Sequence, residues 1–438
     1  MPLASGTSES ATSVARPHLL LRILFSKGFA ALVDQGVVSV ANFASSLIVA
    51  KSCTKEEFGI YGLGFSMVVL LSAIPKSLVW TPYTTFAPRL ESHDRLTKFT
   101  GSVTVHMLLI ALVTGLALLV ASFAQALMPN SDPLLGRLLL VLCPAIVLVM
   151  IREHARRLCL AWLRNEEVLV LDTLVSILQV GILWLVAWEG QLTGSNAYWA
   201  FGISSSITLF WLYLRRSEIR MERSQVKEDA KHNWQFSKWI FVGALAVMLA
   251  NFLYRSLLAK FHSYSELANL TAVQTVVYLA NPLLLGLSNF YGPTSATIFA
   301  KQGARALFGS VFKTFVGMGA LLSLFCIFLA IFGDAVVVFL CKEEYAGLGQ
   351  LVVMFGLATF SEHMMMPLEC GFQAISHGKM LFSAAFIRLV FSVCLGTFLI
   401  WKLGAMGVAI GILVANVCVT SFMWFWFVRL TRAPASNP

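Results

Sequence analysis

The sequence predicts an all-α, polytopic membrane protein with twelve spans arranged as two related six-helix lobes. Three observations predict it. Of 438 residues, 58% are hydrophobic and 12% charged, with a mean hydropathy of +0.78; a soluble protein carries about twice that share of charge. The apolar runs are continuous, as in Met107-Leu-Leu-Ile-Ala-Leu-Val113. A helix crossing a bilayer needs about 20 such residues, whereas a barrel strand alternates over about 10. Finally, the two halves share residues at a fixed offset.

Residues 1–27 are rich in Ser, Thr and Ala and are expected as a disordered cytoplasmic N-terminus. They do not read as a signal peptide, because the apolar stretch that follows is too long and lacks a small-residue cleavage site. Spans at 28–50, 61–84, 101–124, 134–151, 168–188 and 196–214 make an N-lobe over 28–214. The longest charged stretch, 215–235, is expected as a cytoplasmic inter-lobe loop. Spans at 236–258, 267–291, 307–332, 349–371, 380–401 and 404–428 make a C-lobe over 236–428, and 429–438 is a cytoplasmic tail.

Charge placement sets the orientation. Most of the 32 Lys and Arg fall in segments on the side of the two termini, and only Lys51, Lys55, Arg137, Lys260, Lys342 and Lys402 fall opposite. Basic residues collect in cytoplasmic loops, so both termini are expected inside. The same rule reads the formal charge of +10 as topology and leaves no case for nucleic acid. All eleven Trp lie near proposed span ends, where an indole ring meets the headgroup zone. The eight Cys have no metal-ligand spacing and read as small apolar residues; neither a metal nor a cofactor is expected.

The repeat is legible at an offset of 209. Ala41-Asn-Phe and Ala250-Asn-Phe, Ala50-Lys and Ala259-Lys, and Glu57 and Glu266 all coincide, and Pro75 pairs with Pro282 nearby. Six spans return the chain to its starting side, so the repeats run parallel, as transporter halves do. The matched prolines free backbone carbonyls where a bundle can flex.

Ionisable groups at membrane depth cost about 2.5–3.5 kcal/mol each on insertion scales, so each is a functional candidate. Asp34, Lys76, His106, Asp172, Glu369 and Arg388 fall in the cytoplasmic half and together suggest an aqueous cavity between the lobes. Asp172 and Glu369, near span ends, can alternatively snorkel, and so can Arg255 at the outer end of its span. Arg388, in an otherwise apolar helix, either pairs with an acid or offers its guanidinium to phosphate oxygens. Half-repeat alignment puts it a turn from the counterpart of Asp172, which makes a cross-lobe ion pair conceivable. Asn42 and Asn251 occupy equivalent positions, where an amide usually bonds between helices. Lys76, Arg255, Arg388, Asn42 and Asn251 are therefore candidates for substrate binding in the cavity. Asp34, Asp172 and Glu362 are candidates for ion coupling or gating. Phosphate-loop, HExxH and GxSxG patterns are absent, and no loop is large enough for a soluble catalytic domain.

Several segments resemble those of the bacterial polysaccharide flippases, in the multidrug and oligosaccharidyl-lipid exporter superfamily. They are Asp34-Gln-x-x-x-Ser39-x-x-Asn42-Phe43, Phe58-Gly-x-Tyr61, Arg152-Glu-x-x-Arg156-Arg157, and Asp172 with Gln179. The resemblance implies a MATE-like fold of two lobes about a central cavity, working by alternating access and not as an enzyme. It implies a polyprenyl-diphosphate-linked oligosaccharide carried from the inner to the outer leaflet of the bacterial inner membrane. The protein would act as a monomer alongside membrane lipid, polymerase and chain-length proteins. A cation-coupled drug exporter of the same fold would place acids rather than bases at the cavity. A membrane glycan polymerase or ligase would need larger loops.

Overall fold

A computed structural model describes residues 27–432 except Glu91, Leu163 and Ser376, with the backbone alone for 27–32, 432 and several residues between 282 and 293. The expected disordered N-terminus and most of the tail lie outside the described residues. Eleven helices are long and apolar enough to cross a membrane, and the described residues contain no strand. The helices in chain order are α1 (Lys27–Ser52), α2 (Lys55–Arg89), α3 (His93–Ala126), α4 (Pro133–Ala161), α5 (Asn165–Trp188) and α6 (Ala197–Leu214). Then come α7 (Arg223–Phe261), a broken α8 (264–302), α9 (304–340), α10 (Gly349–Ala374), α11 (Gly378–Leu403) and α12 (Ala405–Arg432).

The eighth span is the exception. Helix Tyr264–Val277 passes through a tight turn at Tyr278–Ala280 into a long helix, Asn281–Leu340. Gly303 divides that helix with φ 79°, a conformation that a side chain would strain. The break before Pro282 matches one in the other lobe, where Pro75 precedes a wide turn at Lys76–Trp80. Proline lacks the N–H that an α-turn needs, and wide turns of this kind recur at functional positions. The expected loop 215–235 is largely helix, because α7 already begins at Arg223.

The repeat has a structural counterpart at the end opposite the termini, the far end. In the N-lobe, Thr54 caps α2 by accepting from Glu57 N–H, and the Glu57 carboxylate accepts from Gly194 N–H at 2.6 Å, before α6. In the C-lobe, Ser263 caps α8 by accepting from Glu266 N–H, and Glu266 accepts from Ala405 N–H at 3.1 Å, at the start of α12. Each second helix thus staples the start of its sixth through an orphan amide.

The lobes meet along α2, α7 and α8. A Cβ at Gly59 would lie 2.0 Å from the Tyr264 carbonyl oxygen, so only glycine lets α2 and α8 approach this closely. Lys342 donates to the Cys53 carbonyl at 3.0 Å, Lys55 sits 4.9 Å over the Tyr345 ring, and Tyr264 donates to Asp132. The far end is closed by these contacts. At the termini end the lobes are held chiefly through α7, whose first turns lie on the N-lobe: His106 contacts the Val226 carbonyl at 2.8 Å and Lys98 pairs with Glu222 at 3.0 Å.

Candidate functional site: a cavity between the lobes

Three adjoining cavities lie between the lobes, and Phe65 lines all of them. The first, 370 Å³, is on the N-lobe side, with Lys76, Trp80, Arg152, Glu153, Arg157 and Asn42 in its wall. The second, 420 Å³, is a cleft between α1 and α8. Ser39, Asn42, Ser46 and Thr275 give it a polar interior, and Val40 and Leu279 lie exposed along it. The third, 190 Å³, is on the C-lobe side and holds Asn251, Thr359, Glu362 and Arg388. Arg255 lines the second and third.

The local sequence explains the N-lobe wall. Arg152 and Arg156 are four apart on α4 and share a face, while Arg157 is turned off it. The shared face meets two acids. Arg156 binds Asp34 of α1 at 2.5 Å and Asp172 of α5 at 2.6 Å, and Arg152 binds Asp172 at 2.8 Å. Two carboxylates and two guanidiniums thus close a neutral network joining α1, α4 and α5. Gln179 adds a 2.9 Å bond to Ser45 of α1. Arg157 faces the cavity beside Trp80, with its guanidinium 5.9 Å from the ring, and its contact with Glu153 is long at 3.9 Å. Lys76 is exposed in the wide turn of α2 and has no partner among the described residues.

The C-lobe wall differs. Arg388 donates to Glu362 at 2.6 Å, and both side chains keep partial access to the cavity. Arg255 has no carboxylate. It donates to the Gly62 carbonyl across the lobe interface at 2.7 Å and to the Gln274 side-chain oxygen.

Several expectations change. Arg388 pairs within its own lobe and not with Asp172. Asp172 is fully buried in the N-lobe network and does not snorkel, because two guanidiniums compensate it. Arg255 turns inward to neutral oxygens instead of reaching for headgroups. Asn42 and Asn251 form no interhelical bond among the described residues, and each lines a cavity. Of the six ionisable groups expected around one aqueous cavity, Lys76 and Arg388 line it. Asp34 and Asp172 are internal, His106 holds α7, and Glu369 is exposed. Trp80 is a buried cavity-wall residue and not an interfacial anchor. Cys394 is exposed, unlike the buried Cys53, Cys159, Cys341 and Cys370. Sequence reasoning passed over Arg157, Trp80 and Phe65. For Arg157 the signal was present in Arg156-Arg157, since adjacent helical side chains point in different directions.

Two six-helix lobes about a central cavity make a MATE-like fold. An inward-facing multidrug resistance MATE family transporter of the MOP superfamily matches with a TM-score of 0.75 at 14% identity, covering 90% of this chain and 95% of that one. An outward-facing conformation gives 0.61 at 15% identity, covering 92% and 94%. A MOP superfamily transporter from Pyrococcus furiosus, described as having a binding pocket of reverse polarity, gives 0.59 at 13% identity, covering 92% and 94%. No curated protein matches the chain by sequence. Residues 24–290 match the sequence pattern of the polysaccharide biosynthesis protein family, and the chain belongs to that family.

Proposed function

We propose that the protein flips a polyprenyl-diphosphate-linked oligosaccharide from the inner to the outer leaflet of a bacterial cytoplasmic membrane, for polysaccharide biosynthesis. The termini end faces the cytoplasm, and the form described here, closed at the far end, receives its passenger there. One observation carries the reading: the cavity walls hold cations that the protein leaves without a close carboxylate partner. Lys76 has no partner among the described residues, Arg157 is loosely held, and Arg255 rests on neutral oxygens. Such charge at membrane depth is costly unless an anion visits it, and guanidinium fits phosphate oxygens two at a time. The cleft between α1 and α8 supports the same passenger. Its polar interior suits a headgroup, and its apolar edge suits a lipid chain that stays in the bilayer.

A cation exporter would need free acids at the cavity. The two acids in its walls, Glu153 and Glu362, each face arginine. Asp34 and Asp172, the other carboxylates considered for coupling or gating, act here as internal ties of the N-lobe. The protein works as a monomer, upstream of polymerase and chain-length proteins.

The test is headgroup translocation in vesicles. Losing a bond to a charged group costs about 1.5–3 kcal/mol, so Lys76→Ala and Arg157→Ala should each slow translocation at least about tenfold. Wild-type rates in both would remove the cationic cavity from the mechanism.

A further inference from the structure

The 190 Å³ C-lobe cavity has different chemistry from its neighbours. Its charged pair, Glu362 with Arg388, is neutral as a unit and presents both an acceptor and donors to the space. Asn251 adds an amide with no partner among the described residues, Thr359 a hydroxyl, and Gln274 an amide whose nitrogen is still free to donate. Tyr278 supplies a partly exposed aromatic ring. A phosphate is better served by the N-lobe wall, where Lys76 and Arg157 outnumber Glu153, than by a pair whose charges cancel. A sugar wants the mixture of acceptor and donors. Each hydroxyl donates and accepts, as do the amides facing it, and the ring's C–H face stacks on an aromatic surface.

We propose that this C-lobe cavity is the carbohydrate subsite. It reads the neutral sugar joined to the diphosphate, while the phosphates stay with Lys76, Arg157 and Arg255. The inference rests on the anionic-headgroup reading above and deepens it. The layout allows the division, because Phe65, Val69 and Met248 line both the N-lobe and C-lobe cavities and Arg255 lies in the C-lobe wall. At 190 Å³ the space is nearer the size of one sugar ring than of a chain, so selectivity falls on the first residue of the glycan. Glu362 acts as a specificity residue, favouring uncharged sugars over uronic acids.

Binding to the purified full-length protein tests it with three probes: plain polyprenol, short-chain polyprenyl diphosphate, and the same diphosphate carrying one neutral hexose. The wild type is expected to prefer diphosphate over polyprenol and to gain about tenfold more from the hexose. In Asn251→Ala, and in the charge-balanced double variant Glu362→Gln with Arg388→Gln, the hexose gain should fall to about twofold or less. Using two variants keeps a folding defect in one from deciding the outcome. A wild-type diphosphate preference with no hexose gain, or a gain that survives in both variants, overturns the carbohydrate subsite alone. No preference for diphosphate over polyprenol overturns the headgroup reading, and this inference with it.

Discussion

The two lobes share their scaffold and differ in their charges. At the far end both carry the same staple: a hydroxyl cap, a glutamate three residues on, and a backbone amide at or just before the start of the sixth helix. Nearer the termini the N-lobe sinks four charges into a closed network, with side chains 0–11% exposed, and leaves Lys76 and Arg157 over for its cavity. Among the described residues the C-lobe has one pair, at 21% and 39% exposure, set in the cavity wall. Duplicated backbone geometry needs capping residues at fixed positions, so those persist in both copies. Ionic side chains serve the passenger, so they are free to diverge. On the proposed function the asymmetry gives the lobes different tasks, with most phosphate contacts on the N-lobe side and the carbohydrate on the C-lobe side.

The sharpest way to break this comparison is to cut one acid from each lobe. Asp172→Ala leaves Arg152 without its carboxylate and Arg156 with Asp34 and a long contact to Glu153, at a buried site. Removing one partner of a buried pair costs about 3–5 kcal/mol, so the thermal midpoint in detergent should fall steeply. Glu362→Ala leaves Arg388 at a cavity that can hydrate it, and the loss should be about half as large or less. Equal losses in the two variants would mean that the pairs are structural alike and that the lobes do not divide as argued.

Much of this was legible in the sequence, and the limits are physical. Apolar runs fix helices because a bilayer leaves the backbone no other partner, so the spans were readable, as was the repeat through Ala-Asn-Phe, Ala-Lys and the matched glutamates. Charge at depth marked Asp34, Asp172, Glu362 and Arg388, but not who pairs with whom. Asp34 meets Arg156 across 122 positions and Arg255 meets a backbone carbonyl across 193. Carbonyls carry no sequence signal. Nor does the absence of a partner, which is what sets Lys76 apart.

A smaller effect sharpens the shared half of the comparison. Glu57→Gln and Glu266→Gln each weaken one charge-assisted bond to an amide at a helix start while keeping the shape. A bond to a charged group contributes about 1.5–3 kcal/mol and a neutral one about 1, so each variant should lose about 1 kcal/mol of stability in denaturant or thermal titration. The two losses should agree. A clear inequality would show that one staple is carried by other contacts and that the scaffold is less symmetric than its hydrogen bonds suggest.

The smallest expected effect concerns the two asparagines that the repeat brings into register. An amide bonded between membrane helices contributes about 0.6–1.7 kcal/mol. Asn42 and Asn251 have no such bond among the described residues and face open space instead. Asn42→Ala and Asn251→Ala should therefore leave the thermal midpoint within the effect of an ordinary surface change, about 0.5 kcal/mol, while altering what the cavities bind. Asn42 lines both the N-lobe cavity and the cleft, so its loss should slow entry of the lipid-linked headgroup, whereas Asn251 should affect only the gain from the sugar. A drop in stability above about 1 kcal/mol in either variant would return that amide to the role of an interhelical tie and take it out of the site.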